Sequence, residues 1–359
     1  MLRAQLQRLG LDRRLKAIYE RYERVLIPAF LVIGFIFDVI TFRTLQIDTA
    51  LKLLLAHAIV AGLMLIFIQL YDARKEPSKY VVVSYARFLA PFAAQISIGA
   101  LLSSSLLFYW FSGSLSVSWP LFALITGVMI SSEVFRQAYL RPVVQLSVYN
   151  FVLLSYFSVL LPFVLKSLSA WIFILSGVLS TLIVLLIILL LTNFSPAVKR
   201  QQPQLFVAVM SVFVIMSAFY YLKLIPPLPL SLREAGIYHA IIRQPGDYKL
   251  IGENETFIQK LIPGQTIHAD IGDSLYAYTA IFAPAKLTAV IYHRWEYKDP
   301  TSGQWTDKSL LHFSIKGGRQ EGFRGYTMKT GVTPGKWRVT VQNERGQVLG
   351  RLTFTVEEP

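Results

Sequence analysis

The sequence predicts an α-helical polytopic membrane bundle of about seven transmembrane helices, followed by an all-β, immunoglobulin-like antiparallel sandwich. Three observations carry that prediction. The 359-residue chain is 54% hydrophobic and only 16% charged, whereas a typical soluble domain is about a quarter charged. Its long apolar runs are confined to residues 25–225. From about residue 255 the pattern changes to short alternating runs separated by turn residues.

Crossing a hydrocarbon core of about 30 Å takes roughly 20 apolar residues in a helix. Seven runs meet that need: 25–42, 50–70, 87–111, 115–134, 142–165, 170–192 and 204–225. The first follows a long basic leader and precedes no small-x-small cleavage site, so it is an anchor that stays, not a signal peptide. Lys and Arg alternate between the gaps. Residues 1–24 and the gaps after the second, fourth and sixth runs hold fifteen; the opposite gaps hold three, Arg43, Lys52 and Lys166. The positive-inside rule then places the N-terminus in the cytoplasm. Seven crossings place the C-terminal region outside it.

The leader, residues 1–24, sets Leu2, Leu6, Leu9, Leu15, Ile18 and Tyr22 on one helical face amid Arg and Lys. It suits an interfacial helix drawn to anionic lipid, and equally a plain leader that only sets topology. The net charge of +14 would suit a nucleic-acid partner, but the alternation between gaps already accounts for it, so no nucleic acid is expected. The absence of cysteine excludes disulfides, thiolate metal sites and a Cys nucleophile.

Two ionisable side chains fall within the apolar runs. Asp38 lies near the outer end of the first and His57 near the outer start of the second, at similar depth. They form an intramembrane polar pair that is either a proton or ion relay or a packing clasp near the outer interface; the missing repeat of broken helices favours the clasp. The third run is rich in small residues (Ala90, Ala93, Ala94, Ser97, Gly99, Ala100) and is expected inside the bundle. Residues 181–192 are apolar all round and are expected to face lipid.

Pro226, Pro227 and Pro229 end the last helix, and residues 226–254 form a juxtamembrane connector. The exterior domain, residues 255–359, has strand patterns at 265–271, 275–282, 286–298, 309–316, 322–329, 335–343 and 347–356. Asn343-Glu-Arg-Gly346 between two alternating runs is a hairpin connection. Seven short strands with turns between them suit a sandwich.

This C-terminal stretch resembles an uncharacterised bacterial domain family attached to multi-helix membrane proteins. The residues that carry the resemblance are Pro226-Pro-Leu-Pro-Leu230, Gly236-Ile-Tyr-His239, Ala283-Pro284, His293-Arg-Trp295, Gly317-Gly-Arg319, Gly322-Phe-Arg-Gly-Tyr-Thr327 and Gly335-Lys-Trp-Arg-Val339. The resemblance implies membrane attachment and a bacterial source, and no chemistry.

There is no Walker loop, dinucleotide fingerprint, HExxH or GxSxG, so no catalytic residue, cofactor or enzymatic activity is expected. His268-Ala-Asp270 with Asp273 could ligate a metal, but a strand entering a turn carries the same residues, and no metal is expected. The most distinctive group is aromatic and basic: Arg294, Trp295, Trp305, Arg319, Arg324 and Tyr326, with Gly317-Gly318 free to bring backbone amides close to a ligand. Arg forks suit carboxylates and phosphates, and Trp faces suit sugars and cations. Structurally, an inward Trp is core and a Gly pair is a turn. The leading function is therefore a non-enzymatic membrane protein of the bacterial envelope. Its exterior domain would bind a partner protein or an anionic or glycan envelope component, with membrane lipid as the other partner. The alternative is a transporter or channel using Asp38 and His57 with the β-domain as an outer lid. A sensor is weakened by the lack of a cytoplasmic output domain.

Overall fold

The computed structural model describes residues 47–74, 80–134, 141–245, 247–253, 265–270, 272–319 and 321–359. The leader, the first apolar run and Asp38 lie outside them. Among the described residues the chain forms seven helices and then ten strands.

The helices are α1 (Ile47–Asp72), α2 (Val81–Ser112), α3 (Leu115–Val134), α4 (Pro142–Leu165), α5 (Ala170–Thr192), the short α6 (Pro196–Arg200) and α7 (Gln202–Tyr221). Five are long and apolar enough to cross a membrane, and α3 has a shorter apolar stretch, Leu115–Ser131. Local chemistry sets their ends. Pro142 starts α4, where a missing N–H costs nothing, and Lys166 ends it in the left-handed region at φ 51°. Ser195 caps α6 by accepting from Val198 N. α2 begins six residues before its apolar run, and Arg87 within it is paired with Asp72 of α1 at 2.9 and 2.7 Å.

Side-chain bonds show how neighbours run. Tyr156 and Tyr149 of α4 donate to the carbonyls of Leu51 and Ala58 of α1, and Gln69 of α1 donates to Gln145 of α4. As numbers rise on α1 they fall on α4, so the two are antiparallel. Tyr71–Ser84 and Asp72–Arg87 show the same for α1 and α2.

The helix at the centre is α4. Of its most apolar stretch 61% is buried, against 50% for α2 and 17% for α7. The small face of α2 does turn inward, with Ala90, Ala94 and Ser97 buried. The expectation for residues 181–192 needs correction. Val184, Ile188 and Leu191 of α5 are buried in the bundle core, while Leu182, Leu186 and Leu189 are exposed. An all-apolar helix carries no signal of which side packs on protein.

The strands are β1 (Ser231–Tyr238), β2 (Ala240–Gln244), β3 (Asp247–Ile251), β4 (Gln265–His268), β5 (Leu275–Phe282), β6 (Thr288–Lys298), β7 (Trp305–Lys316), β8 (Phe323–Lys329), β9 (Gly335–Asn343) and β10 (Val348–Glu357). They form a three-stranded sheet β1-β5-β8, a five-stranded sheet β4-β10-β9-β6-β7 and a two-stranded hairpin β2-β3. The expected Asn343–Gly346 turn joins β9 to β10, with Gly346 at φ 74° donating to the Asn343 carbonyl at 2.9 Å.

Two corrections follow. Residues read as a connector are strands from Ser231 onward: β1 pairs with β5 from Ser231↔Phe282 to Tyr238↔Tyr276. Its sequence, SLREAGIY, lacks clean alternation because a bulge between Leu232 and Glu234 shifts its register. The pairing is also not wholly antiparallel, since β4 runs parallel to β10 at the sheet edge.

Side chains from both larger sheets share one core: Ile237, Leu275 and Ala277 meet Trp295, Trp337, Val339, Phe354 and Val356. A second cluster, around Leu230, Ile281, Ile291 and Val341, has Leu168 of the α4–α5 loop packed against it. The β-region thus continues directly from the bundle. Ile225 and Leu228 belong to the helix core, and Gln347 donates to the Ile225 carbonyl at 3.0 Å. Ser231 donates to the Phe111 carbonyl of α2 at 2.6 Å, and Arg345 bonds Tyr220 of α7. A cavity of about 30 Å³, lined in part by Ser158, Phe173, Tyr220 and Gln347, sits at this junction, room for about one water molecule.

Candidate functional site

The residues expected to form one aromatic and basic patch are divided by the period-two alternation of strands. On β6, His293, Trp295 and Tyr297 point inward, and Arg294 and Glu296 point outward. Trp295 is fully buried and donates to Thr327 Oγ1 of β8 at 3.2 Å, with its ring edge-on to Phe354. It is core and is removed from the candidate binding surface.

Beside it His293 bridges the sheets. Its Nδ1 lies 2.9 Å from Thr327 Oγ1 and its Nε2 3.1 Å from Thr279 Oγ1 of β5. A neutral imidazole satisfies both contacts, and burial pushes its pKa down to about 3. No sequence motif marks this bridge, because its three residues come from three separated strands.

Arg294 lies on the outer face of the five-stranded sheet, paired with Asp307 at 2.6 and 2.5 Å. Next to it Arg338 grips Glu296 at 2.8 and 2.6 Å, and Thr340 donates to the same carboxylate at 2.8 Å. Burial works to raise the pKa of Glu296, but the bonds from Arg338 and Thr340 outweigh it and hold the group below the ordinary range. Trp305 joins this face, with the Arg338 guanidinium 4.2 Å above its ring.

Arg324 and Tyr326 lie on the opposite side of the β-region. Thr327 faces the five-stranded sheet, so its neighbour Tyr326 faces away. Tyr326 packs against Tyr276 of β5 (6.0 Å between ring centroids) and Tyr248 of the β2–β3 hairpin (5.8 Å). Tyr248 and Tyr238 in turn pack on Tyr278. Tyr326 is 40% and Met328 47% exposed at the open side of this cluster. Arg324 continues the same face and donates to Glu321 at 2.8 Å. Arg319, exposed on the preceding turn, lies over the Phe323 ring at 5.5 Å. The sequence signal for Tyr276 and Tyr278 was present in the alternation of LYAYTAIF; Tyr248 carried none.

The glycine pair is also corrected. The amides of Gly317 and Gly318 donate to the carbonyls of Leu287 and Ala283, at 2.8 and 3.1 Å, and are not open to a ligand. A Cβ on Gly317 would come 1.9 Å from the Pro284 carbonyl oxygen, so glycine serves close backbone packing there.

Elsewhere, His57 Nδ1 faces Ser97 Oγ of α2 at 3.4 Å. His268 shares Glu253 Oε1 with His239, at 3.3 and 3.1 Å. The backbone amide of His268 at 2.8 Å contributes most to holding that carboxyl low. Among the described residues no group of three or more His, Asp or Glu side chains is placed to hold a metal ion.

Residues 288–356, essentially β6 through β10, match the family described as "Protein of unknown function (DUF2914)". The C-terminal part of the chain therefore carries a domain of an uncharacterised family. No curated protein matches the chain. Among solved structures it shows a likeness to the Pseudomonas fluorescens alkylpurine DNA glycosylase AlkC bound to DNA containing an abasic site analog. The identity is 11% over 84% of this chain and 99% of that one, and at a TM-score of 0.23 the likeness carries no argument.

Proposed function

We propose that the chain is a non-enzymatic integral membrane protein of the bacterial envelope. Its C-terminal β-sandwich, of immunoglobulin-like character, stands on the exterior side and binds a partner protein or glycan. The observation that carries the binding reading is the tyrosine face of the three-stranded sheet. There Tyr248 and Tyr276 pack on Tyr326, Met328 is exposed on the same face, and Arg324 follows that face two residues from Tyr326. Tyr, Met and Arg are the side chains enriched at recognition surfaces, because they offer large rigid contact area with a polar or charged tip.

Membrane crossing and orientation rest on two supports. Trp110, Trp119, Trp171 and Tyr221 are more than half exposed and sit at the ends of α2, α3, α5 and α7 that meet the β-region; such rings mark a membrane–water interface. Arg74, Arg87, Arg141, Lys199 and Arg200 sit at the opposite ends, where a cytoplasmic surface is expected.

The binding test uses the full chain in detergent, passed over immobilised envelope polysaccharide and a membrane-protein extract. The expected result is retention that the Arg324→Ala/Tyr326→Ala double variant loses. Undiminished retention by that variant would show that this face is not the site. A periplasm-dependent reporter fused after Pro359 is expected to be active; a silent fusion would reverse the orientation.

A further inference from the structure

We propose that the neck between bundle and β-region binds an anionic phospholipid of the exterior leaflet, its phosphate held by Arg351 and Ser116. This rests on the reading that the chain crosses a membrane with its β-region outside. The outer face of the five-stranded sheet brings together three guanidiniums, Arg294, Arg338 and Arg351, and two carboxylates. Both carboxylates are already engaged, Asp307 by Arg294 and Glu296 by Arg338. Among the described residues Arg351 is the one of these three guanidiniums without a carboxylate partner. Among the described residues its hydrogen bond is to Ser116 Oγ at 3.4 Å, too long to satisfy a guanidinium. Burial, and after it the Arg338 charge, disfavours its protonated form, so an anion at this point would be welcomed on both counts.

The position selects the kind of anion. Ser116 lies in the first turn of α3, and Trp119, 61% exposed, follows three residues later on the same face. Below it the exposed stripe continues through Ala123, Thr126 and Ile130 along the apolar helix. Small side chains there leave a shallow track, and a Cβ on Gly127 would meet nothing within 4 Å. A phosphate between Arg351 and Ser116 would therefore stand directly above an apolar helix face with an interfacial Trp between them. That is the shape of a phospholipid, with its headgroup on the Arg and an acyl chain along α3. A soluble anion would use only the upper half.

The test is native mass spectrometry of the full chain in detergent, titrated with phosphatidylglycerol, phosphatidylcholine or inorganic phosphate. Wild type is expected to retain phosphatidylglycerol, to retain less phosphatidylcholine, whose choline neutralises the phosphate, and to lose none of its lipid to inorganic phosphate at equal concentration. Arg351→Gln is expected to bind phosphatidylglycerol about tenfold more weakly, the loss of one charge-assisted contact. Ser116→Ala, an exposed change that leaves the fold intact, is expected to weaken it less, and Lys223→Gln, elsewhere on the neck, not at all. Equal binding by wild type and both site variants would overturn the proposal. So would displacement of the lipid by inorganic phosphate, which would mark a free-anion site. A chain that stays in solution without detergent would instead refute the membrane reading, and is distinguishable because the failure of the lipid site leaves the protein in the membrane fraction.

Discussion

The His293 bridge makes stability depend on pH in a direction that can be worked out. Burial lowers the imidazole pKa from 6.5 to about 3. The folded value lies below the unfolded one, so the unfolded chain binds the proton more readily. Stability from this group is complete above about pH 6.5 and is lost as pH falls towards 3. Each pH unit in that window removes up to about 1.4 kcal/mol, so about 3 kcal/mol is gone at about pH 4.5. That is a large share of the ~5–15 kcal/mol by which domains are stable. His293→Gln keeps an amide donor and acceptor for Thr327 and Thr279 but cannot titrate. It costs stability at neutral pH through imperfect fit, and only the pH dependence is diagnostic. Trp295 bonds the same Thr327, and of the six tryptophans only it and Trp337, both in the β-region, are buried, so the change in tryptophan emission follows guanidinium unfolding of that region in the full chain in detergent. Glu296 and Glu253 also lose stabilising interactions in acid, equally in both proteins. Between about pH 7.5 and pH 4.5 wild type should lose about 3 kcal/mol more than the variant. Equal losses would refute a neutral, buried His293.

Five further variants have expected outcomes. Gly317→Ala drives a Cβ into the Pro284 carbonyl and should cost about 3 kcal/mol. Gly303→Ala, at φ 68° with nothing within 4 Å, should cost about 1 kcal/mol; thermal melts of the two variants compare them. Glu296→Gln leaves Arg338 without its counter-charge on a residue only 5% exposed and should cost about 3 kcal/mol, read by denaturant titration; Arg294→Gln, from an exposed pair, should cost under about 1 kcal/mol. Gln347→Ala removes the bond to the Ile225 carbonyl and should speed hydrogen exchange at the Leu228 and Leu230 amides, whose bonds stay within the Pro226–Leu230 segment, by roughly tenfold.

The sequence by itself determined most of the elements. Apolar runs of spanning length, the alternation from β5 to β10, and the Asn343–Gly346 turn all rest on local chemistry, and the six later runs each correspond to a helix of the structure. β1 escaped because its bulge breaks the alternation, and β2 and β3 because a five-residue hairpin strand has too little pattern to recognise.

The candidate site was legible only in part. Arg324 and Tyr326 were picked out as candidates, since an Arg and a Tyr beside glycines stand out in any strand. Their partners Tyr248 and Tyr276 come from other strands and were not. Tertiary structure alone decided which residues share a surface. A period of two tells that Arg294 and Trp295 point oppositely, but not which side is core. That choice belongs to the packing of Trp295 on Phe354 and of His293 between Thr279 and Thr327. Burial is a property of what the rest of the chain places on each face, and that information is spread over strands up to about a hundred residues apart.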